Sequence, residues 1–166
     1  MATIVDRIPN MTDPALLVLF ENATRRISED KHVVAAQDAL SAIEREWKKR
    51  LDGARARPNR YDTPAVGMLA TLGYRVGATK GETTAVRRRI LKHVLEGHLP
   101  MVSSPGYTDE WGLPRSTKRF SKLIQFLESQ LTNPANREHE RAMIEWSEDL
   151  SWVRQNYLHL ARQATA

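Results

Sequence analysis

The 166-residue sequence contains no cysteine. This excludes disulfide frameworks, zinc or iron–sulfur sites with thiolate ligands, and thiol nucleophiles. The five histidines show no His-Glu-x-x-His spacing, and we therefore predict no metal site and no cofactor. The longest apolar run, residues 14–20, is far shorter than a membrane span, and the opening MATIVDRIPN lacks the pattern of a signal peptide. We expect a cytoplasmic protein without membrane contact.

Motifs for catalysis are also missing. The glycine-rich stretch 73–82 differs from a phosphate-binding P-loop, because Lys80 precedes Gly81 and Glu82 follows it. No Gly-x-Ser-x-Gly elbow occurs, and the adjacent carboxylates at 109–110 and 148–149 should point apart on a helix. The sequence assigns no catalytic residue, which favours a protein that is not an enzyme.

Helical periodicity dominates what is present. Apolar residues make up 41% of the chain and charged residues 27%, which is typical of a globular domain. No segment alternates apolar and polar residues as a strand does. We therefore predict an all-α fold of about six helices, covering about 13–27, 31–54, 64–72, 82–96, 116–131 and 136–161.

Local signals suggest how these helices are arranged. Asp13 before Pro14 indicates a helix start capped by Asp13, Ser116 indicates a helix cap and Gly73 a helix end. We predict an N-terminal helical hairpin over 1–54, a basic linker over 55–63 and a compact helical module over 64–166. The hairpin is expected to pack on the C-terminal bundle within one cooperative domain.

Positive charge is concentrated in the middle of the chain. The formal net charge is +5, with basic runs at 45–60, 75–92 and 115–122. Helical spacing predicts two neighbouring cationic rows that could neutralise nucleic-acid phosphates. Their residues are Arg88, Arg89 and Lys92 in one row and Arg115, Lys118 and Lys122 in the other, with Lys48, Lys49 and Arg50 as additions. The alternative interpretation is a solvated face that keeps the protein soluble.

Two other features have structural or functional interpretations. Arg87 falls in the apolar stripe of its helix, so we predict a partly buried arginine, with Glu110 as a candidate partner for Arg87 or Arg119. Tyr107 and Trp111 lie in the long loop 98–114, as a plug over the core or as a stacking platform.

The first long helix carries more apolar residues than one stripe needs. Leu17 and Leu19 are therefore predicted to contact a partner, which could be a second copy of the chain.

An ordered set of short motifs resembles a helical module that recurs in uncharacterised bacterial proteins. The set is LGYRVG at 72–77, RRRIL at 87–91, Leu99-Pro100, EWGLP at 110–114 and WSEDLSW at 146–152, followed by Tyr157. No activity is established for that module, so the resemblance implies no catalytic residue or cofactor. One departure is the nearly neutral segment after the EWGLP helix, where similar sequences are basic.

Three functions remain open at this point. The first is a non-enzymatic interaction module that contacts nucleic-acid phosphates without sequence preference. The second is a protein-interaction or assembly module that forms a homodimer through its N-terminal helices. The third is an enzyme with a site dispersed along the sequence.

Overall fold

The regular elements are all helical in the computed structural model, which describes residues 3–55, 67–101 and 105–161. No strand occurs in these ranges, and this confirms the predicted all-α class. The ranges contain eight α-helices instead of six, because α1 and α6 are short helices that the periodicity did not predict. In chain order they are α1 (Ile4–Arg7), α2 (Asp13–Ser28), α3 (Val33–Arg55), α4 (Met68–Thr71), α5 (Thr84–Glu96), α6 (Pro105–Asp109), α7 (Thr117–Thr132) and α8 (Glu140–Ala161).

The chain forms two units. The first comprises Met1–Gly73 and Pro100–Ser104, and the second comprises Tyr74–Leu99 and Pro105–Ala166. The predicted linker 55–63 lies outside the described residues except for Arg55, the last residue of α3, so the proposed division at 54 and 64 stays a prediction. Over the described ranges, no helix has both the length and the apolar character needed to cross a bilayer.

In the first unit α2 packs on α3 through aromatic contact. The ring of Phe20 lies 5.7 Å from that of Trp47, which is 1% exposed. Arg50 of α3 then reaches back, donating from Nη1 to the Asp13 carboxylate at 2.8 Å and from Nη2 to the Met11 carbonyl at 2.8 Å. The Arg50 guanidinium is thus used in hydrogen bonds within this unit, although the sequence analysis named it as an additional phosphate contact.

The start of α2 corrects one detail of the sequence analysis. Thr12 is the capping residue, since its hydroxyl accepts from the Ala15 amide, and Asp13 is the first residue of the helix. At the predicted helix end, Gly73 has a φ of +91°, and a Cβ there would lie 2.6 Å from the Pro14 Cδ. Both the backbone angle and the close approach require glycine at this position.

Leu17 is 1% exposed. This corrects the expectation that it is available to a partner, because its side chain already belongs to the core of the chain. Leu19 is half-buried, and its contact with a partner stays a prediction.

The second unit is built from α5, α7 and α8 around an aliphatic core. Caps occur where α5 and α7 begin: the hydroxyl of Thr83 accepts from the Val86 amide, and that of Ser116 accepts from Arg119, as predicted for Ser116. The core residues, each 1% exposed or less, are Ile90, Leu91, Val94, Leu95, Leu123, Leu127 and Val153. Helix α8 begins at Glu140 instead of 136, because Pro134–Asn136 form a separate 3-10 turn.

Buried Arg119 ties the end of α5 to the turn before α7. It is 3% exposed, and its guanidinium donates to the carbonyls of Gly112 at 3.0 Å, Val94 at 3.1 Å and Gly97. Burial lowers the pKa of Arg119 to about 10. A cation there complements the partial negative charge at the C-terminal end of α5.

Candidate functional site

The two predicted cationic rows lie in the second unit, but they do not form one face. Arg88 and Lys92 line a groove between α5 and α8, and Arg115 lies at one end of it. Lys118 and Lys122 instead contact the segment formed by α6 and the residues after it. The predicted six-residue patch is therefore two separate groups.

The groove has two adjoining parts with Trp152 in the lining of both. The first part has a volume of about 580 Å³ and is lined by Thr84, Arg88, Ser147, Glu148, Ser151, Trp152 and Gln155. The second has a volume of about 420 Å³ and is lined by Lys92, Glu96, Arg115, Trp152, Asn156, Tyr157, His159 and Leu160.

Helix α5 supplies one wall of the groove by its periodicity. Thr84, Arg88, Lys92 and Glu96 are each four residues apart, so they form a single row along the helix. This row begins at the N-terminal end of α5, where the helix dipole is positive, and passes through two cations before it reaches an acid.

Arg88 is held by an aromatic ring. Its guanidinium carbon lies 5.7 Å from the centre of the Trp152 ring, a cation–π arrangement. Within the described residues Arg88 makes no ion pair, and its buried Nε has no hydrogen-bond partner. The arginine is thus oriented by the indole and forms no ion pair with a described carboxylate, although Glu148 lines the same part of the groove.

The far end of the groove is neutralised internally. Arg115 Nη2 lies 3.1 Å from the Glu96 carboxylate, and the Tyr157 hydroxyl donates to the same carboxylate at 2.7 Å. Burial would raise the pKa of Glu96, but the hydrogen bonds from Tyr157 and Arg115 and the charges of Lys92 and Arg115 outweigh it and hold that pKa below its usual range. Burial, followed by the bond to Glu96, raises the pKa of Tyr157. Arg115 therefore has an acidic partner, whereas Lys92 has no ion pair with a described residue.

Lys118 and Lys122 of α7 contact Asp109 and Glu110 of the segment predicted as a loop, away from the groove, and we call them the loop cations. Lys118 Nζ donates to the Asp109 carbonyl at 3.2 Å, and Lys122 Nζ lies 3.0 Å from the Glu110 carboxylate. Lys122 also lies 5.2 Å from the ring centre of Trp111, which is 4% exposed. The buried Trp111 agrees with the plug interpretation of its loop.

Arg87 is buried as predicted, but its partners differ from the predicted one. It is 1% exposed, and its Nε donates to the Asp149 carboxylate at 2.7 Å while its Nη1 lies 3.4 Å from that of Glu145. Glu110 is exposed and pairs with Lys122, which corrects the expectation of an ion pair with Arg87 or Arg119. The sequence missed Asp149 because its pairing depends on how α5 and α8 pack.

Arg87, Asp149, Glu145 and Tyr74 form what we call the ionic cluster. The Tyr74 hydroxyl donates to Asp149 at 2.7 Å, and the Gly77 amide donates to Glu145 at 2.8 Å. Burial, followed by the Asp149 charge, raises the pKa of Tyr74. Burial would raise the pKa of Glu145, but bonds from Gly77 and Arg141 and the charge of Arg87 lower it overall. The cluster is an internal structural element of the unit.

Trp152 is the site residue whose position the sequence did not predict. Trp152 is half-buried, whereas Trp47, Trp111 and Trp146 are at most 9% exposed. A signal was present, because Trp152 lies off the apolar stripe of α8 formed by Trp146, Leu150, Val153 and Tyr157.

The remaining basic residues predicted to contact phosphates do not line the groove. Arg89 is exposed on α5, and Lys48 and Lys49 are exposed on α3 in the first unit. No group of three or more histidine, aspartate or glutamate residues in the described ranges could hold a metal ion.

Comparison with known proteins gives no relative to this chain: no protein-family model, no curated protein and no solved structure matches it. The resemblance to a bacterial helical module stays a prediction.

Proposed function

We propose that this protein is a non-enzymatic interaction module that binds nucleic acid through the groove between α5 and α8. The observation that supports this most is the pair of cations, Arg88 and Lys92, on one wall of a groove that also presents the indole of Trp152. Neither cation makes an ion pair within the described part of the chain, so both charges can face a phosphate.

The loop cations and Arg115 contribute less to this function. Arg115 is paired with Glu96 and Lys122 with Glu110, so each must give up a carboxylate before it can bind a phosphate. The loss of the existing ion pair offsets most of the electrostatic free energy gained from the new one. The binding region is therefore narrower than the six-residue surface expected from the sequence.

Binding of this kind is weakly selective and strongly salt-dependent. Phosphate contacts position a protein without reading sequence, and counterion release makes affinity fall as salt rises. We expect a dissociation constant of about 1–100 μM at physiological salt, with little preference between sequences.

The test is fluorescence anisotropy with labelled DNA and RNA, comparing two charge-matched double variants. Arg88→Gln with Lys92→Gln removes two positive charges from the groove, whereas Lys48→Gln with Lys49→Gln removes two from an exposed face of α3 in the first unit. We expect the groove variant to lose at least tenfold in affinity and the α3 variant to lose less than threefold. Equal losses would refute a groove-specific site, and no binding by the unmodified protein at low salt would refute the function.

The alternative of a homodimer through the N-terminal helices has lost the exposure of Leu17 as one of its supports. Sedimentation of the full chain over a range of concentrations tests it directly. A concentration-dependent dimer that Leu19→Ala disrupts would support assembly as the main function.

A further inference from the structure

Resting on the proposed function, we propose that the groove takes a single strand and that one unstacked base of that strand packs against Trp152 while its phosphates lie on Arg88 and Lys92. The proposal specifies which form of nucleic acid enters and which part of it the aromatic residue contacts.

The first argument is the exposure of Trp152. The other three tryptophans of the chain are at most 9% exposed, whereas Trp152 is half-buried in the wall that both parts of the groove share. Its indole has two neighbours, the Arg88 guanidinium 5.7 Å from the ring centre and the Tyr157 ring in a T-shaped arrangement with ring centres 5.7 Å apart. A large aromatic surface that is held rigidly and left partly in solvent is suited to stacking on a planar ligand.

The second argument is the form in which a nucleic acid offers its bases. In a duplex the base faces are stacked on one another, so a protein meets phosphates on the outside and base edges in the grooves. An exposed indole gains little from such a surface. A single strand can turn one base outward, and stacking on an aromatic side chain together with a nearby arginine is the usual means of binding it.

The third argument is the short length of the cationic stretch. Arg88 and Lys92 lie one helical turn apart on α5, while Glu148 lines the part near its beginning and Glu96 lines the part near its end. Phosphates beyond the two cations would approach these acids. These features suit one or two nucleotides better than a long tract.

Intrinsic fluorescence of the full chain provides the experiment, because Trp152 is the one tryptophan that is not buried. The probes are an unlabelled eight-nucleotide oligothymidylate, a blunt duplex of the same length, and inorganic polyphosphate, which carries phosphates without bases. We expect the single strand to quench the fluorescence and to bind at least fivefold more tightly than the duplex. Polyphosphate should bind without quenching.

Two variants at Trp152 separate stacking from charge. Trp152→Leu keeps an apolar side chain but removes the ring, and it should weaken single-strand binding between about 5-fold and 150-fold while polyphosphate binding changes less than twofold. Trp152→Phe keeps an aromatic ring, so this variant should lose less affinity for the single strand than Trp152→Leu does. The quenching should disappear, because the quenched indole has been removed. Should the leucine variant unfold, the phenylalanine variant and the quenching of the unmodified protein still decide the matter.

The outcomes distinguish this inference from the function on which it rests. Binding that requires Arg88 and Lys92, but that favours the duplex or is unaffected at Trp152, would overturn stacking and leave the proposed function standing. Absence of binding to every nucleic acid at low salt would overturn both. Polyglutamate that competes as well as the oligonucleotide would overturn both as well, in favour of an acidic protein partner.

Discussion

Helix α5 contributes one side to the ionic cluster and another side to the groove. Its adjacent residues Arg87 and Arg88 therefore have opposite surroundings. Arg87 is 1% exposed and bonded to the Asp149 carboxylate at 2.7 Å. Arg88 is half-buried over Trp152 at the groove wall and has no ion pair in the described ranges. A helix turns by about 100° per residue, so consecutive side chains leave it in different directions. A run of arginines in a sequence is therefore not one basic surface.

The largest expected difference between Arg87 and Arg88 is in their contribution to the free energy of unfolding. Replacing Arg87 with methionine leaves the Asp149 carboxylate buried without its cation, while Glu145 keeps its bond to Arg141, and should lower the free energy of unfolding by about 3–5 kcal/mol. The matched change Arg88→Met removes one cation–π contact and should cost about 1 kcal/mol or less. Urea denaturation of both variants checks the contrast. Similar losses for the two would mean that the cluster and the groove are energetically alike.

The cluster should also make the protein sensitive to acid. The pKa of Glu145 is lowered from 4.5 in the folded protein. Its contribution to stability is therefore complete above pH 4.5 and is lost as the pH falls through the lower, folded value. We expect the difference in unfolding free energy between the unmodified protein and Glu145→Gln to shrink as the pH is lowered from 6 to 3. A constant difference over that range would contradict the assignment.

A smaller effect separates the groove from the loop cations. Lys118→Gln with Lys122→Gln removes as much charge as Arg88→Gln with Lys92→Gln, but from side chains that already bond Asp109 and Glu110. We expect nucleic-acid affinity to fall less than threefold for the loop pair, against at least tenfold for the groove pair. Anisotropy at one fixed salt concentration measures both. A larger loss for the loop pair would move the site to α7.

The smallest effect is expected at Glu110. Glu110→Gln removes the acidic partner of Lys122 and so provides an unpaired cation outside the groove. Because this pair is exposed on its acidic side, stability should change by less than about 1 kcal/mol, and affinity for nucleic acid should rise less than twofold. A rise of tenfold in the same titration would show that Lys122 belongs to the binding surface.

The sequence was informative about local structure. Periodicity predicted the all-α class, and the residues that cap or end helices were predicted at Ser116 and Gly73, because these signals depend on neighbours in the chain. The short helix α6 was missed, since five residues are too few to show a period. The cap of α2 was predicted one residue too late, at Asp13. Threonine and aspartate can both cap a helix, and Thr12 and Asp13 are adjacent in the sequence.

Tertiary relationships were much less predictable. The sequence predicted a partly buried Arg87 with Glu110 as a candidate partner, whereas the actual partner, Asp149, depends on which faces of α5 and α8 meet. Tertiary packing also determines that Arg115 pairs with Glu96 and that Lys122 pairs with Glu110, which are 19 and 12 residues away along the chain. Charge in a sequence can be counted directly, but its neutralisation by partners cannot.

The number of phosphates that the protein contacts tests the central claim most directly. It is obtained from the slope of log affinity against log salt for a single strand, to which each contact adds about 0.7. If binding rests on Arg88 and Lys92, the slope should be about −1.4. A slope near −4, which all six cations of the two predicted rows would give, or a slope near zero, would contradict the groove as the site of binding.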